Sequence, residues 1–216
     1  MWEQENNANA SFRVSGWKLD VQCVSEGLRL VTAHDTSGDI TGLISLVNSS
    51  LPTLTESFIR GDELHLIMPQ AEETDAAIEI CLLVIQADRE CLIVESTLSL
   101  QTLWLDAYPA VQLDIPGDGP LACSTKGSAK VFSRDKDSHS PQNSLEVSVL
   151  VDERDQLSID ATNANYQGAR FFGEFMEKGV IRKVQPWWVW SCGNLSDPQV
   201  DKIVSSLGKR PLPLAG

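Results

Sequence analysis

The stretch "AIEICLLVIQADRECLIVESTLSLQTLWL", residues 77 to 105, decides the fold. Its first ten residues, "AIEICLLVIQ", are apolar on both alternating faces, as a central strand should be. "ADRE" then breaks the run with three charged residues, and "CLIVESTLSLQTLWL" resumes it. In this second run Leu92, Val94, Leu98 and Leu100 alternate with Ile93, Glu95, Thr97 and Ser99. A period of two places these sets on opposite faces of a strand. Strand, short polar turn, strand is the mark of an antiparallel meander, because parallel neighbours need a crossover of a dozen or more residues.

The same reading extends outward. Trp17, Leu19, Val21 and Cys23 alternate with Lys18, Asp20 and Gln22, and Ser25-Glu26-Gly27 turns this strand into "LRLVT". "TGLISLVN", "TLTESFI" and "ELHLIMP" follow as strands, the last with Leu64, Leu66 and Met68 on one face and Glu63 and His65 on the other. Residues 1–11 are polar and rich in Asn, and are predicted to be a disordered tail. Residues from about 117 to 143 are dominated by Gly, Ser, Pro, Asp and Lys. They are predicted to be a long loop with one short strand at "AKVF". "SLEVSVLV", a turn over residues 152–155 and "QLSIDA" predict a further hairpin, while "ARFFGEFMEKG" fits helix and strand about equally. One helix is expected, near the C-terminus. Asp197 is its predicted cap, Pro198 its first residue, and Val200, Ile203, Val204 and Leu207 its apolar stripe. The expected fold is all-β: residues 12–216 form one large antiparallel β-sandwich with a short C-terminal helix.

Charge and cysteine content narrow the function classes. Residues 1–120 carry 19 acidic and 5 basic side chains, and residues 121–216 carry 11 and 12, for a net charge of −13. So acidic a chain repels phosphate backbones and anionic lipid, which argues against nucleic-acid and membrane-surface partners. No stretch approaches the roughly 20 apolar residues of a membrane span. The first ten residues have neither the basic start nor the apolar run of a signal peptide, so a cytoplasmic location is expected. Five cysteines without metal spacing read as small buried thiols in a reducing compartment, and no cofactor or metal is expected.

The candidate ligand-binding residues are Trp187, Trp188 and Trp190, in "GVIRKVQPWWVWS". In a strand, Trp188 and Trp190 share one face and Trp187 the other. Exposed, the pair could stack on sugar rings. Buried, it would lie between the sheets, with Trp187 near the C-terminal helix. Pro186 places this strand at an edge or a bulge, where a ligand or a second copy of the chain could reach it. Glu63, Glu95, Asp106, Asp114 and Glu177 are candidates for a paired-carboxylate site of the glycosidase kind. Asp135, Asp137, His139 and Glu146 match the offsets of a calcium loop, but position six is Ser140 and position seven a proline. The functional expectation is a non-enzymatic domain that binds a protein or other ligand. The alternative is a carbohydrate-binding or carbohydrate-active protein using the tryptophans and paired carboxylates. A homo-oligomer is a further possibility.

Two stretches, "FIRGDELHLIMPQ" (residues 58–70) and "FFGEFMEKGVIRK" (residues 171–183), are similar to a group of uncharacterised β-rich bacterial proteins of planctomycete type. The resemblance implies a large sandwich of the super-sandwich kind, with no established activity and no site residue to carry over.

Overall fold

The computed structural model describes residues 1–35, 37–117, 120–134, 145–158, 168–193 and 195–209. Its first sheet contains β1 (Trp2–Asn6), β2 (Asn9–Val14), β3 (Trp17–Val24), β4 (Gly27–His34), β5 (Gly38–Leu46), β10 (Ala110–Asp114) and β14 (Gly168–Phe172), in that order. Between β5 and β10 the chain builds β6 (Glu56–Arg60), β7 (Glu63–Met68), β8 (Ala77–Ala87) and β9 (Cys91–Gln101) of the second sheet. After β10 it adds β11 (Leu121–Lys126), β12 (Ala129–Arg134), β13 (Leu145–Val151), β15 (Ile181–Val184) and β16 (Trp187–Cys192). The second sheet runs β11-β12-β13-β16-β9-β8-β7-β6, and β15 also pairs with β9. Every pairing is antiparallel, as the 77–105 stretch predicts. Among the described residues there is one α-helix, α1 (Asp197–Leu207), and it lies on the outer face of the second sheet. Among the described residues, no helix is long and apolar enough to cross a membrane.

Alternation builds two apolar layers. Leu19, Val21, Leu28, Leu30 and Ile44 of the first sheet meet Leu64, Leu66, Ile80, Leu82, Val94 and Leu98 of the second. The outer layer holds Cys91, Ile93, Val131, Leu150, Trp187 and Val189 beneath Ile203, Val204 and Leu207 of α1. This second layer explains why β9 and β16 are apolar on both faces. Trp188 crosses the inter-sheet space to lie over Gly42, where an added Cβ would stand 2.7 Å from the indole Cζ3. The missing side chain is what makes room for the ring.

Several predicted elements are corrected. Residues 1–11 are not a tail: they form β1 and the start of β2. Trp2 buries its ring against Phe12 (centroids 5.4 Å apart), and its Nε1 donates to the Asp62 carbonyl at 3.1 Å. One buried tryptophan outweighs the polar composition around it. In the predicted 117–143 loop, β11 and β12 form a full hairpin from Leu121 to Arg134, so "AKVF" has a partner strand. Residues 135–144 lie outside the described residues, and with them the calcium-loop offsets Asp135, Asp137 and His139. The predicted turn after β13 is a 3-10 helix (Glu153–Ser158) that takes up the first half of "QLSIDA", and the rest of that predicted strand lies outside the described residues. "ARFF" is strand, in β14. The α1 cap is Ser196, one residue earlier than expected: its N–H and hydroxyl both donate to the Gln199 Oε1, at 2.8 and 2.7 Å. Pro186 does not mark an edge. β16 lies between β13 and β9 in the sheet interior. The proline just precedes the ladder, so its missing N–H removes no strand bond. Its carbonyl accepts from the Ser96 N–H (2.9 Å) and hydroxyl (3.1 Å).

Candidate functional site

The three tryptophans of β16 present no stacking face to solvent. Trp187 is 1% exposed and Trp188 and Trp190 are fully buried. Period-two geometry separates them as expected: Trp188 and Trp190 point between the sheets and stack on one another, with centroids 5.6 Å apart and planes 9° from parallel. Trp187 points outward and is roofed by α1. Its Nε1 donates to the buried Glu95 carboxylate at 3.0 Å. It forms part of the floor of a 160 Å³ cleft between α1 and β8–β9, rimmed by Asp88, Glu90 and Lys202. The ring itself stays covered. The candidate platform is thus withdrawn into the two apolar layers.

The exposed aromatic surface lies elsewhere. Among the described residues, nine large apolar side chains are exposed, and seven of them fall in two segments at one tip of the sandwich. Leu103, Trp104, Leu105 and Tyr108 come from the β9–β10 connection. Phe175, Val180 and Ile181 come from the β14–β15 connection and the start of β15. Trp104, at 41%, is the exposed exception among the six tryptophans, and Leu105 reaches 79%. Tyr108 and Phe175 meet edge to face at 6.0 Å.

This apolar tip stands on a firm base. Ala107 and Met176 form a bridge beneath it, and both are buried. The Gly179 N–H donates to the Thr102 carbonyl at 2.8 Å, and the Met176 N–H to the Ala107 carbonyl at 3.0 Å. The Thr102 hydroxyl donates to the Asp75 carbonyl (2.9 Å) while accepting from the Trp104 N–H (3.2 Å). The Gln70 Oε1 accepts from the Leu103 N–H at 2.7 Å, and Arg182 donates to the Phe175 carbonyl at 2.9 Å. Asp106, within the tip, and Phe172, just before its second segment, hold positive φ angles of 58° and 65°. A bulky side chain in that region is strained, and such strain concentrates where surrounding structure imposes a special backbone path. The segments that meet here carry Glu72, Glu73, Asp75, Asp106, Glu174 and Glu177 against Lys178 and Arg182. The tip is apolar at its centre and acidic at its rim.

A second cluster sits on the outer face of β7 and β8. His65 and Cys81 are direct cross-strand partners, and Glu63 lies two residues before His65 on the same face. The His65 Nε2 is 3.0 Å from the Glu63 Oε2 and 3.8 Å from the Cys81 Sγ. Phe58, opposite His65 on β6, stacks on the imidazole at 4.9 Å with planes 6° apart. The Glu79 Oε1 stands 3.9 Å from the imidazole Nδ1. Burial, followed by the charges of Glu63, Glu95 and Glu79, pushes the Cys81 thiol up to about 12.

The remaining sequence candidates are dispersed. Glu63 and Glu95 are both paired with Leu83 across the sheet and so lie two strands apart. Asp114 sits in the first sheet, where burial raises its pKa and the Gln112 side chain donates to it. Asp106 and Glu177 belong to the tip. Of the five free cysteines, Cys91 is buried, as expected, but Cys123 on β11 is exposed. No protein-family model, curated protein or solved structure matches this chain.

Proposed function

We propose that this protein is a non-enzymatic β-sandwich binding domain that docks a protein partner through the Leu103–Tyr108 and Phe175–Ile181 tip. The observation that carries this reading is the concentration of seven exposed large apolar side chains there. Scattered surface hydrophobes are ordinary, whereas a contiguous apolar patch with a polar rim marks an interaction surface. Four of the seven are aliphatic, which suits an apolar protein surface better than the face of a sugar ring. The hydrogen-bonded underside holds the patch in place before a partner arrives, which lowers the ordering entropy lost on docking. Its acidic rim favours a partner with basic residues around an apolar centre, and disfavours a second acidic copy of this chain.

The test compares the wild type with a Trp104→Ala/Leu105→Asp variant, by affinity capture from native cells and by thermal unfolding. Leu105 is 79% exposed but Trp104 is more than half covered, so the unfolding curve establishes that the variant is folded at the temperature at which binding is compared. The expected result is a defined partner, confirmed by binding of the two purified proteins, whose affinity falls at least tenfold in the variant. Equal partner binding by both proteins would overturn the reading. Concentration-dependent mass that the variant abolishes would identify a second copy as the occupant instead. A polysaccharide that stabilises only the wild type would restore the carbohydrate alternative, with Trp104 and Tyr108 in place of the β16 tryptophans.

A further inference from the structure

The Glu63–His65–Cys81 cluster is chemically unlike the acidic surface around it. It combines one carboxylate, one imidazole and one thiol, all of whose donor atoms lie within 4.8 Å of one another. Zinc bonds of about 2.0–2.3 Å to oxygen, nitrogen and sulfur place tetrahedral ligand atoms roughly 3.4–3.6 Å apart. The observed 3.0 Å and 3.8 Å separations bracket those values, so small rotamer adjustments would close a shell.

The sheet supplies this arrangement without a loop. Residues i and i+2 of β7 share a face, and the register sets Cys81 directly across from His65. The Phe58 ring fixes the plane of the imidazole from the neighbouring strand, and Glu79 stands at its Nδ1 side. The Nε2 is thereby turned toward Glu63 and Cys81. At 3.9 Å from the Nδ1, the Glu79 carboxylate lies just outside hydrogen-bond reach, on the side where an outer carboxylate orients a ligating histidine. All three donors are half-buried, leaving a side open to solvent for a fourth ligand.

We propose that Glu63 Oε2, His65 Nε2 and Cys81 Sγ form a three-ligand site for a zinc-class divalent transition ion on the outer face of the second sheet. Thiolate and imidazole select a borderline-soft ion, and a single carboxylate oxygen is too little for calcium or magnesium. The site goes beyond the docking function and does not depend on it.

The experiment is a cobalt(II) titration of the untagged, reduced protein, followed by optical absorption and competition with zinc. The expected result is one equivalent of cobalt, with a thiolate-to-cobalt charge-transfer band that zinc abolishes. Cys81→Ser should remove the band, and His65→Ala or Glu63→Gln should weaken cobalt binding at least tenfold. Cys123→Ser removes the exposed thiol and should leave the band intact. Circular dichroism checks each fold. Should Cys81→Ser fail to fold, the affinity losses in His65→Ala and Glu63→Gln decide the matter. No band in the wild type, a band that survives in a folded Cys81→Ser, or one that disappears with Cys123→Ser would each overturn the site.

Discussion

The indole N–H groups of β16 meet different surroundings. Trp187 donates to Glu95 in a buried pair, while the Nε1 atoms of Trp188 and Trp190 have no hydrogen-bond partner among the described residues. A buried donor left unpaired costs about 1–3 kcal/mol, so these two indoles are held by ring packing despite their nitrogens. Substituting Phe separates the two situations. Trp190→Phe removes an unsatisfied donor along with some apolar volume, and should destabilise by less than about 2 kcal/mol. Trp187→Phe removes a donor to a buried carboxylate, and should cost about 1–3 kcal/mol more than that. Chemical denaturation of the two variants checks the order. The sequence showed that Trp188 and Trp190 share a face, but which face is buried depends on what covers the sheet. A burial decision made by α1 and by Gly42 on another strand has no signature within "PWWVW".

At the scale of elements, α1 is an 11-residue helix, too short to be stable alone in water. Its order comes from Ile203, Val204 and Leu207 on the outer layer, from the Ser196–Gln199 cap, and from Lys126 Nζ, which reaches Asp197 at 2.7 Å. That surface ion pair adds little; the apolar contacts dominate. Ile203→Ala/Leu207→Ala should release the helix while the two sheets persist. The expected signs are loss of amide-exchange protection confined to α1, and new acrylamide quenching of Trp187 fluorescence. Unfolding of both sheets together would show that the outer layer is integral to the sandwich. Helix and strands were legible because their periodicities are local. The metal-type cluster was half legible: Glu63 and His65 could be set on one face from spacing alone, but Cys81 joins them through a register fixed across the β7–β8 connection. The tip was missed because "LWL" was read as the end of β9. The strand stops at Gln101, and three consecutive apolar residues leading to a proline were the available hint.

The whole molecule is shaped by its charge and its strand order. With 19 acidic against 5 basic side chains in residues 1–120, carboxylate repulsion opposes compaction. Raising sodium chloride from 0.15 M to 1 M shortens the screening length from about 8 Å to about 3 Å. The melting temperature should therefore rise, by about 2–4 °C for each kcal/mol of repulsion removed in a chain of this size. A fall would mean that attractive pairs outweigh repulsion. The all-β, two-sheet architecture was legible from the 77–105 stretch. The interleaving of the sheets was not, since alternation says which face of a strand is buried and nothing about its neighbour. One feature of that interleaving bears on how the protein is made. β1 to β5 form a continuous meander that can zip up as it leaves the ribosome. The second sheet is different: its middle strand, β16, begins at Trp187, long after β9 ends at Gln101. At translation rates of 5–20 residues per second, β9 waits roughly 4–17 s with an apolar edge unpaired. The nascent chain spends that interval as a natural client for chaperones, and a ribosome that stalls before Trp187 releases a product without the strand that joins the two halves of its larger sheet.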